Sequence, residues 1–321
     1  MKGLRNIFYI FDIYGVIVKV ITREKFEFED SLLVDYGSFL LTENKFVNNI
    51  DLYFYVGMNE PFMKKGILSL CGNTVNITDN KYEFNGNELS NENFYVNDFR
   101  PYFTTAIYYL LFKTNNNILI HSSCVQYEDD VILFVGESGS GKSSLALKSI
   151  LEGAKYFSND LTFLHSKNGE IIASAMPQEM NIGEQAYNWF KTNVSNFDDF
   201  CSNKFIKYAH KKKKICIHPN KLIKGNTMQG TVRMIIFPEP VLSSENHPFF
   251  EKVDRNVAFR KLLTQVQPMS KKGFSPFIEK HNFINVINNI FENDNNVNYY
   301  NLYWCKNHNA NFELLLELLN K

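Results

Sequence analysis

The sequence predicts an α/β fold with a β-rich amino-terminal region ahead of it. Three observations carry this expectation. Val131-Ile132-Leu133-Phe134-Val135 is an unbroken apolar run, the pattern of a strand buried on both faces of a sheet. A glycine-rich segment from Gly136 to Ser143 follows at once and leads into a helical stretch from about Lys142 to Glu152. Residues 1 to 98, by contrast, hold short β-branched and aromatic runs bounded by turn residues.

Taken in order, Phe8 to Phe11 and Val16 to Val20 read as a strand pair around a turn at Tyr14-Gly15. Lys25 to Glu29 alternates charge and aromatic with period 2, placing Phe26 and Phe28 on one side if extended. Lys81 to Asn85 alternates and then meets an Asn-Gly turn signal at Gly86. These runs predict a small antiparallel domain over 1–98. The organisation changes at Pro101, and residues 99–321 are assigned to a second domain. Tyr102 to Phe112 is apolar enough for a buried helix, with Pro101 at its entrance. Ile118 to His121 and Ser123 to Tyr127 read as a strand, and Glu128-Asp129-Asp130 as the tight turn before the apolar run. Gly153 is a helix C-cap, and Lys155 to Ser158 is a short strand ending at Asn159-Asp160. Further on, Ile171 to Ala173, Val232 to Phe237 and Tyr299 to Trp304 read as strands. Helices are expected over Gly183–Thr192, 253–266, 274–292 and 309–319.

Composition narrows the classes. Lys+Arg and Asp+Glu are both 34, giving a net charge of +0, so no charge excess points to nucleic acid or to a membrane surface. The 5 cysteines are scattered with no CxxC pair, which leaves zinc and redox motifs unsupported. An odd count of this kind fits reduced thiols in a cytoplasmic protein. The opening stretch mixes apolar residues with Asp12 and Lys19, has no small-residue cleavage site, and reads as strands rather than a targeting segment.

Chemistry is concentrated in Gly136-Glu137-Ser138-Gly139-Ser140-Gly141-Lys142-Ser143, which fits the phosphate-cradling pattern G-x-x-x-x-G-K-[ST]. Gly136, Gly139 and Gly141 allow a backbone path that turns N–H groups inward. The helix that starts near Lys142 adds the positive end of its dipole, a site for anionic phosphate oxygens. Lys142 supplies a cation for the β/γ-phosphates, and Ser143 a hydroxyl for Mg²⁺. Glu137, Ser138, Ser140 and Ser144 complete the candidate nucleotide contacts, so ATP with Mg²⁺ is the expected cofactor. A magnesium-linked acid is also required, and Asp160, which closes the next expected strand, is the nearest. No LSGGQ-like segment and no N-K-x-D segment is present, which removes transporter ATPases and GTPase switches.

The stretch from Ile118 to Leu164 resembles the catalytic core of HPr kinase/phosphorylase and its relatives, among them kinases encoded beside lasso-peptide and other modified-peptide genes. The family has a His-bearing strand, a tight hairpin, the phosphate loop, a helix with a late glycine, and a strand ending in two acids. His121, Gly153 and Asn159-Asp160 fall on those positions. The resemblance implies a phosphoenolpyruvate-carboxykinase-like α/β fold. It also implies transfer of a γ-phosphoryl group to a serine hydroxyl of a peptide or protein. Asp160 would be the base and magnesium partner and His121 an auxiliary. Three departures mark a divergent relative. Asn159 replaces the first acid, Ser144 stands where HPr kinases carry glutamate, and no long glycine-bearing segment follows downstream. A small-molecule kinase and a non-catalytic nucleotide-binding module remain alternatives.

Other candidates are weaker. His210 and Lys211 to Lys214 form a basic run, usually a solvated loop. By resemblance, one of these lysines would approach ATP or the transition state. Arg233 and Arg255 are lesser candidates of the same kind, with Arg233 expected to point to solvent. Glu179 and Glu184 are acids after the core and are read as surface residues. FELLLELL, ending at Leu319, is a core stripe or the interface of a homo-oligomer.

Overall fold

A computed structural model describes residues 7–22, 32–33, 36–41, 50–56, 67–70, 73–78, 81–85, 107–108, 110–112, 116–176, 178–207, 213–217, 228–240, 247–266, 280–292, 296–305 and 307–319. The chain forms two compact units, Met1–Asn117 with Lys272–Glu279, and Ile118–Lys271 with Lys280–Lys321.

In the first unit, six strands form one sheet: β1 (Ile7–Ile13), β2 (Val16–Thr22), β3 (Leu52–Val56), β4 (Ile67–Leu70), β5 (Asn73–Thr78) and β6 (Lys81–Asn85), in the order β1-β2-β3-β6-β5-β4. The Tyr14-Gly15 turn joins β1 to β2 as expected, with Ile13 opposite Val16. Its Gly15 N–H donates to Asp12 Oδ1 at 2.9 Å. The sheet is mixed, however, because β3 runs parallel to both β2 and β6. This corrects the expectation of a purely antiparallel arrangement. The chain between β2 and β3 is long enough to return to the starting end, which parallel pairing requires. Lys25–Glu29, Gly86 and residues 101–106 lie outside the described residues. Ile107, Tyr108, Leu110, Leu111 and Phe112 are helical and buried.

The second unit is built on a curled nine-stranded sheet. Its strands are β7 (Ile118–Ile120), β8 (Ser122–Tyr127), β9 (Asp130–Val135), β10 (Lys155–Ser158), β11 (Thr162–Lys167), β12 (Glu170–Ser174), β16 (Gln229–Pro240), β17 (Phe249–Lys252) and β18 (Asn298–Trp304). A separate small sheet has the order β13 (Met180–Gly183), β15 (Lys213–Ile217), β14 (Cys201–Lys207). The helices are α1 (Lys142–Leu151), α2 (Glu184–Asn193), α3 (Arg255–Gln265), α4 (Lys280–Glu292) and α5 (His308–Leu319).

Strand β16 explains the curl. Its first residues pair with β12, its middle with β9 and its far end with β18. The pairings with β9 and β18 are parallel, so Val135, Pro240 and Trp304 finish at the same edge. Ligands of open α/β sheets bind outside such carboxyl ends. At the other turn of the sheet, β7 pairs with β11 whereas β8 pairs with β9 and β10. His121 is the corner residue between them. The expected single strand is therefore two.

β11 and β12 are joined by Asn168-Gly169, both with positive φ (55° and 78°). Such a two-residue loop is what an Asn-Gly hairpin favours. On one face, α1, α2 and α5 bury Leu145, Leu147, Ile150, Phe190, Phe312, Leu315 and Leu318 against Ile132, Phe134, Ile236 and Leu302. Each such side chain contributes about 1.5–3 kcal/mol through its burial. The FELLLELL stripe is thus core. No helix among the described residues is long and apolar enough to cross a membrane.

Candidate active site

The loop between β9 and α1 is assembled by local chemistry. Gly139 and Gly141 adopt φ of 92° and 98°, the left-handed region that a side chain resists. Ser140 N–H donates to the Glu137 carbonyl at 3.1 Å, closing a turn. Leu145 N–H then reaches the Gly141 carbonyl at 3.0 Å, the first bond of α1. The N–H groups of the first turn, Lys142 to Ser144, have no acceptor within the helix and face an anion-binding end.

Lys142 folds back onto this loop. Its Nζ donates to the carbonyls of Gly136 at 2.8 Å and Glu137 at 3.0 Å. The residue is only 5% exposed. Burial pushes its pKa down from 10.5 to about 8, while Asp160 and Glu137 oppose the fall and the Lys214 charge adds to it. An anion beside this cation would remove most of that penalty.

Ser143 Oγ donates to Asn159 Oδ1 at 2.9 Å, and so does Ser123 Oγ at 2.9 Å. The two hydroxyl oxygens lie 3.5 Å apart. Asn159 is fully buried, and its Nδ2 has no hydrogen-bond partner. Ser140 Oγ, also buried, is likewise unpartnered. Asp160 follows with φ of 65°, and its carboxylate is 41% exposed. Non-glycine residues rarely hold that backbone angle, and they do so often at functional sites. His121 Nε2 stands 3.9 Å from Asp160 Oδ1. Beneath them, Thr162 Oγ1 accepts from Ser122 at 2.8 Å and shares a 2.5 Å hydrogen bond with Ser158. That buried hydroxyl chain anchors the strand ends carrying His121 and Asn159-Asp160.

Two long-range contacts hold the loop. Trp304, ending β18, donates from Nε1 to the Ser140 carbonyl at 2.8 Å. Its ring lies against Gly141, where an added Cβ would meet indole atoms at 3.5 Å. Gln265, the last residue of α3, donates to Glu137 Oε1 at 2.8 Å, and its carbonyl accepts the His121 N–H at 2.9 Å. Neither motif nor periodicity marks Ser123, Gln265 or Trp304 as site residues.

The expected site residues divide clearly. His121, Lys142, Ser143, Asn159 and Asp160 come together around the loop. Glu137 is engaged by Gln265, Ser138 is exposed, and Ser144 sits half-buried in α1. Lys214 lies in β15 rather than a solvated loop, near enough to influence Lys142. His210, Lys211 and Lys212 lie outside the described residues. Arg233 pairs with Glu170 at 2.9 Å and Asp130 at 3.6 Å rather than pointing free to solvent. Arg255 donates to the Phe291 carbonyl, a helix-to-helix tie. Glu184 occupies the first turn of α2, where the dipole favours an acid, and Glu179 is half-buried before β13.

The residues fit a phosphate chain with a divalent cation. A buried lysine rests on its own carbonyls, and unpartnered polar atoms line the loop. Ser143 Oγ and Asp160 would supply oxygen ligands of the kind magnesium favours, with phosphate and water completing its shell. Among the described residues, no group of three or more His, Cys, Asp or Glu could hold a metal ion.

No family model matches the chain, and no curated protein matches it. Among solved structures it is similar to the Hpr(Ser) kinase/phosphatase from Coxiella burnetii. The identity is 16% and the TM-score 0.32, over 63% of this chain and 88% of that one. So loose a superposition carries no argument about chemistry, which rests on the residues described above.

Proposed function

We propose that this protein is a Mg-ATP-dependent kinase that phosphorylates a serine hydroxyl of a peptide or protein. The observation that carries the reading is the convergence of Lys142, Ser143 and Asp160 at one glycine loop, with Asp160 beside His121. In this reading Lys142 leaves the Gly136 and Glu137 carbonyls and places its charge on the β/γ-phosphates. Ser143 would offer a lone pair to magnesium while its hydroxyl keeps donating its proton to Asn159 Oδ1. Bound Mg-ATP supplies the transferable γ-phosphoryl group.

Asp160 takes the proton of the acceptor serine as that oxygen bonds to phosphorus and the bond to the ADP oxygen breaks. Its exposure suits a base that must meet an incoming chain. His121 keeps the carboxylate oriented from the corner between β7 and β8. The phosphoenolpyruvate-carboxykinase-like class of fold accords with the curled mixed sheet and the loop at its carboxyl edge. A modified-peptide precursor is the acceptor favoured by the resemblance of Ile118 to Leu164. A homo-oligomer is compatible with this reading.

Asn159, neutral and fully buried, favours one second reading: a module that binds nucleotide without transfer. The experiment separates them. Purified protein is incubated with Mg-ATP and a panel holding a precursor peptide encoded nearby, HPr and free serine, and mass spectrometry follows the phosphoryl gain. Transfer to a peptide or protein that disappears in Asp160→Ala supports the kinase. Transfer to free serine alone selects a small-molecule kinase, and binding without any transfer selects the module.

A further inference from the structure

We infer that Gln265 is a positioning residue for nucleotide binding: it holds the Glu137 carboxylate away from Lys142, so that phosphate meets that cation without a competitor. The inference rests on the nucleotide-binding reading above. It goes beyond that reading by giving a residue outside the glycine loop a task in the loop's charge balance.

Glu137 is the only acid between Gly136 and Ser143, in a loop suited to receiving negative charge. Its backbone carbonyl accepts from Lys142 Nζ at 3.0 Å, so the same residue's carboxylate is one side-chain rotation from the lysine. Glu137 is exposed and has room to turn. The two charges already sense each other, since Glu137 opposes the fall in the Lys142 pKa that burial causes. A glutamate free to rotate would pair with Lys142 and contest it with the phosphates.

Instead, Glu137 Oε1 accepts from Gln265 Nε2 at 2.8 Å, at the C-terminal end of α3. That end carries the negative pole of the helix dipole, where a carboxylate is disfavoured. The amide donor offsets this and keeps the acid there. Thr264 fixes which way the amide faces. Its hydroxyl donates to the Lys261 carbonyl at 2.7 Å, which leaves its oxygen to accept from Gln265 Nε2 at 3.1 Å. Both Nε2 protons are therefore in use, one on Thr264 and one on Glu137. The donor is also firmly mounted. Gln265 is only 6% exposed, and its carbonyl takes the His121 N–H at 2.9 Å. One turn earlier on α3, Lys261 is tied to Glu239 of β16 and Asn301 of β18.

The test is direct titration of Mg-ATP, with each variant first checked by thermal melting for a folded state. Gln265→Leu keeps a side chain of similar size and loses the donor. It should bind Mg-ATP at least about fivefold more weakly than wild type, as a competing ion pair predicts. Adding Glu137→Gln removes the competing charge and, with leucine opposite, restores no hydrogen bond. This double variant should return to within about twofold of wild type. Glu137→Gln alone gives the general effect of removing that charge, and the recovery must exceed it. A merely structural role for Gln265 leaves the double variant as weak as Gln265→Leu, and that result overturns the inference. Wild-type affinity in folded Gln265→Leu overturns it too. If Gln265→Leu does not fold, the isosteric Gln265→Glu replaces it, repels Glu137 and should bind weakly; unchanged affinity there overturns the inference equally. Failure of wild type to bind Mg-ATP sinks the nucleotide reading itself.

Discussion

Raising the pH should make nucleotide binding take up protons, and Lys142 sets the amount. In the ligand-free protein its pKa is lowered from 10.5 to about 8, with burial the leading cause. Bound phosphates replace the loop carbonyls with negative charge and return the lysine towards its ordinary value. At about pH 7, about one-tenth of ligand-free molecules carry a neutral lysine, so uptake is about 0.1 proton. At about pH 9, nine-tenths do, and uptake rises to about 0.9 proton. The nucleotide's own phosphates are fully ionised there and do not contribute. Apparent affinity should accordingly fall about tenfold per pH unit above about pH 8.

The folded-state shift has a stability side with its own sign. The folded pKa lies below the unfolded value, so the charged lysine opposes folding. That penalty is about 3 kcal/mol, present in full below about pH 8 and relieved as pH rises towards 10.5. Lys142→Met should therefore melt at a higher temperature than wild type near neutral pH, although it loses the nucleotide. Calorimetric titration in two buffers of different ionisation enthalpy reads the proton count. Zero uptake or net release at about pH 9 would refute the reasoning.

Three further outcomes follow from single contacts. Asp160→Asn should weaken Mg-ATP binding, through loss of a carboxylate for the metal, and separately lower the transfer rate at saturating Mg-ATP by about 10²–10⁴-fold, measured by single-turnover phosphorylation. Trp304→Phe keeps an aromatic ring against Gly141 but removes the donor to the Ser140 carbonyl, and should weaken Mg-ATP binding by about 0.5–1.5 kcal/mol in a direct titration. Gly230→Ala would put Cβ 2.6 Å from Val131 Cγ2, a stiff β-branched neighbour. Thermal or urea melting should show a loss of about 1–3 kcal/mol.

Much of the second unit was legible because its signals are local. β9 announces itself as a buried apolar run, the glycine loop as a spacing, and α5 as a stripe. What failed to show was set by distance along the chain. Trp304 and Ser140 are 164 residues apart, and Gln265 and Glu137 are 128 apart. No periodicity links such partners: the parallel register of β9, β16 and β18 brings Trp304 to the loop, and the end of α3 brings Gln265. β14 was hidden because a basic run and a strand edge share the same composition from Lys204 onward. β17 is short and lies among mostly exposed positions, so it carries no hydrophobic alternation. In the first unit, β3 looks the same whether its neighbour runs parallel or antiparallel. In the sequence His121 looks like a strand residue, because a chain that changes partners at a corner keeps its apolar pattern through the change.

The central claim is that the Gly136–Ser143 loop binds a magnesium nucleotide. Equilibrium dialysis of labelled ATP against wild type and Lys142→Ala, with Mg²⁺ present, tests it most directly. The account predicts one saturable site per chain in wild type and its loss in the folded variant. Equal retention by both proteins, or no saturable site in wild type, would contradict it.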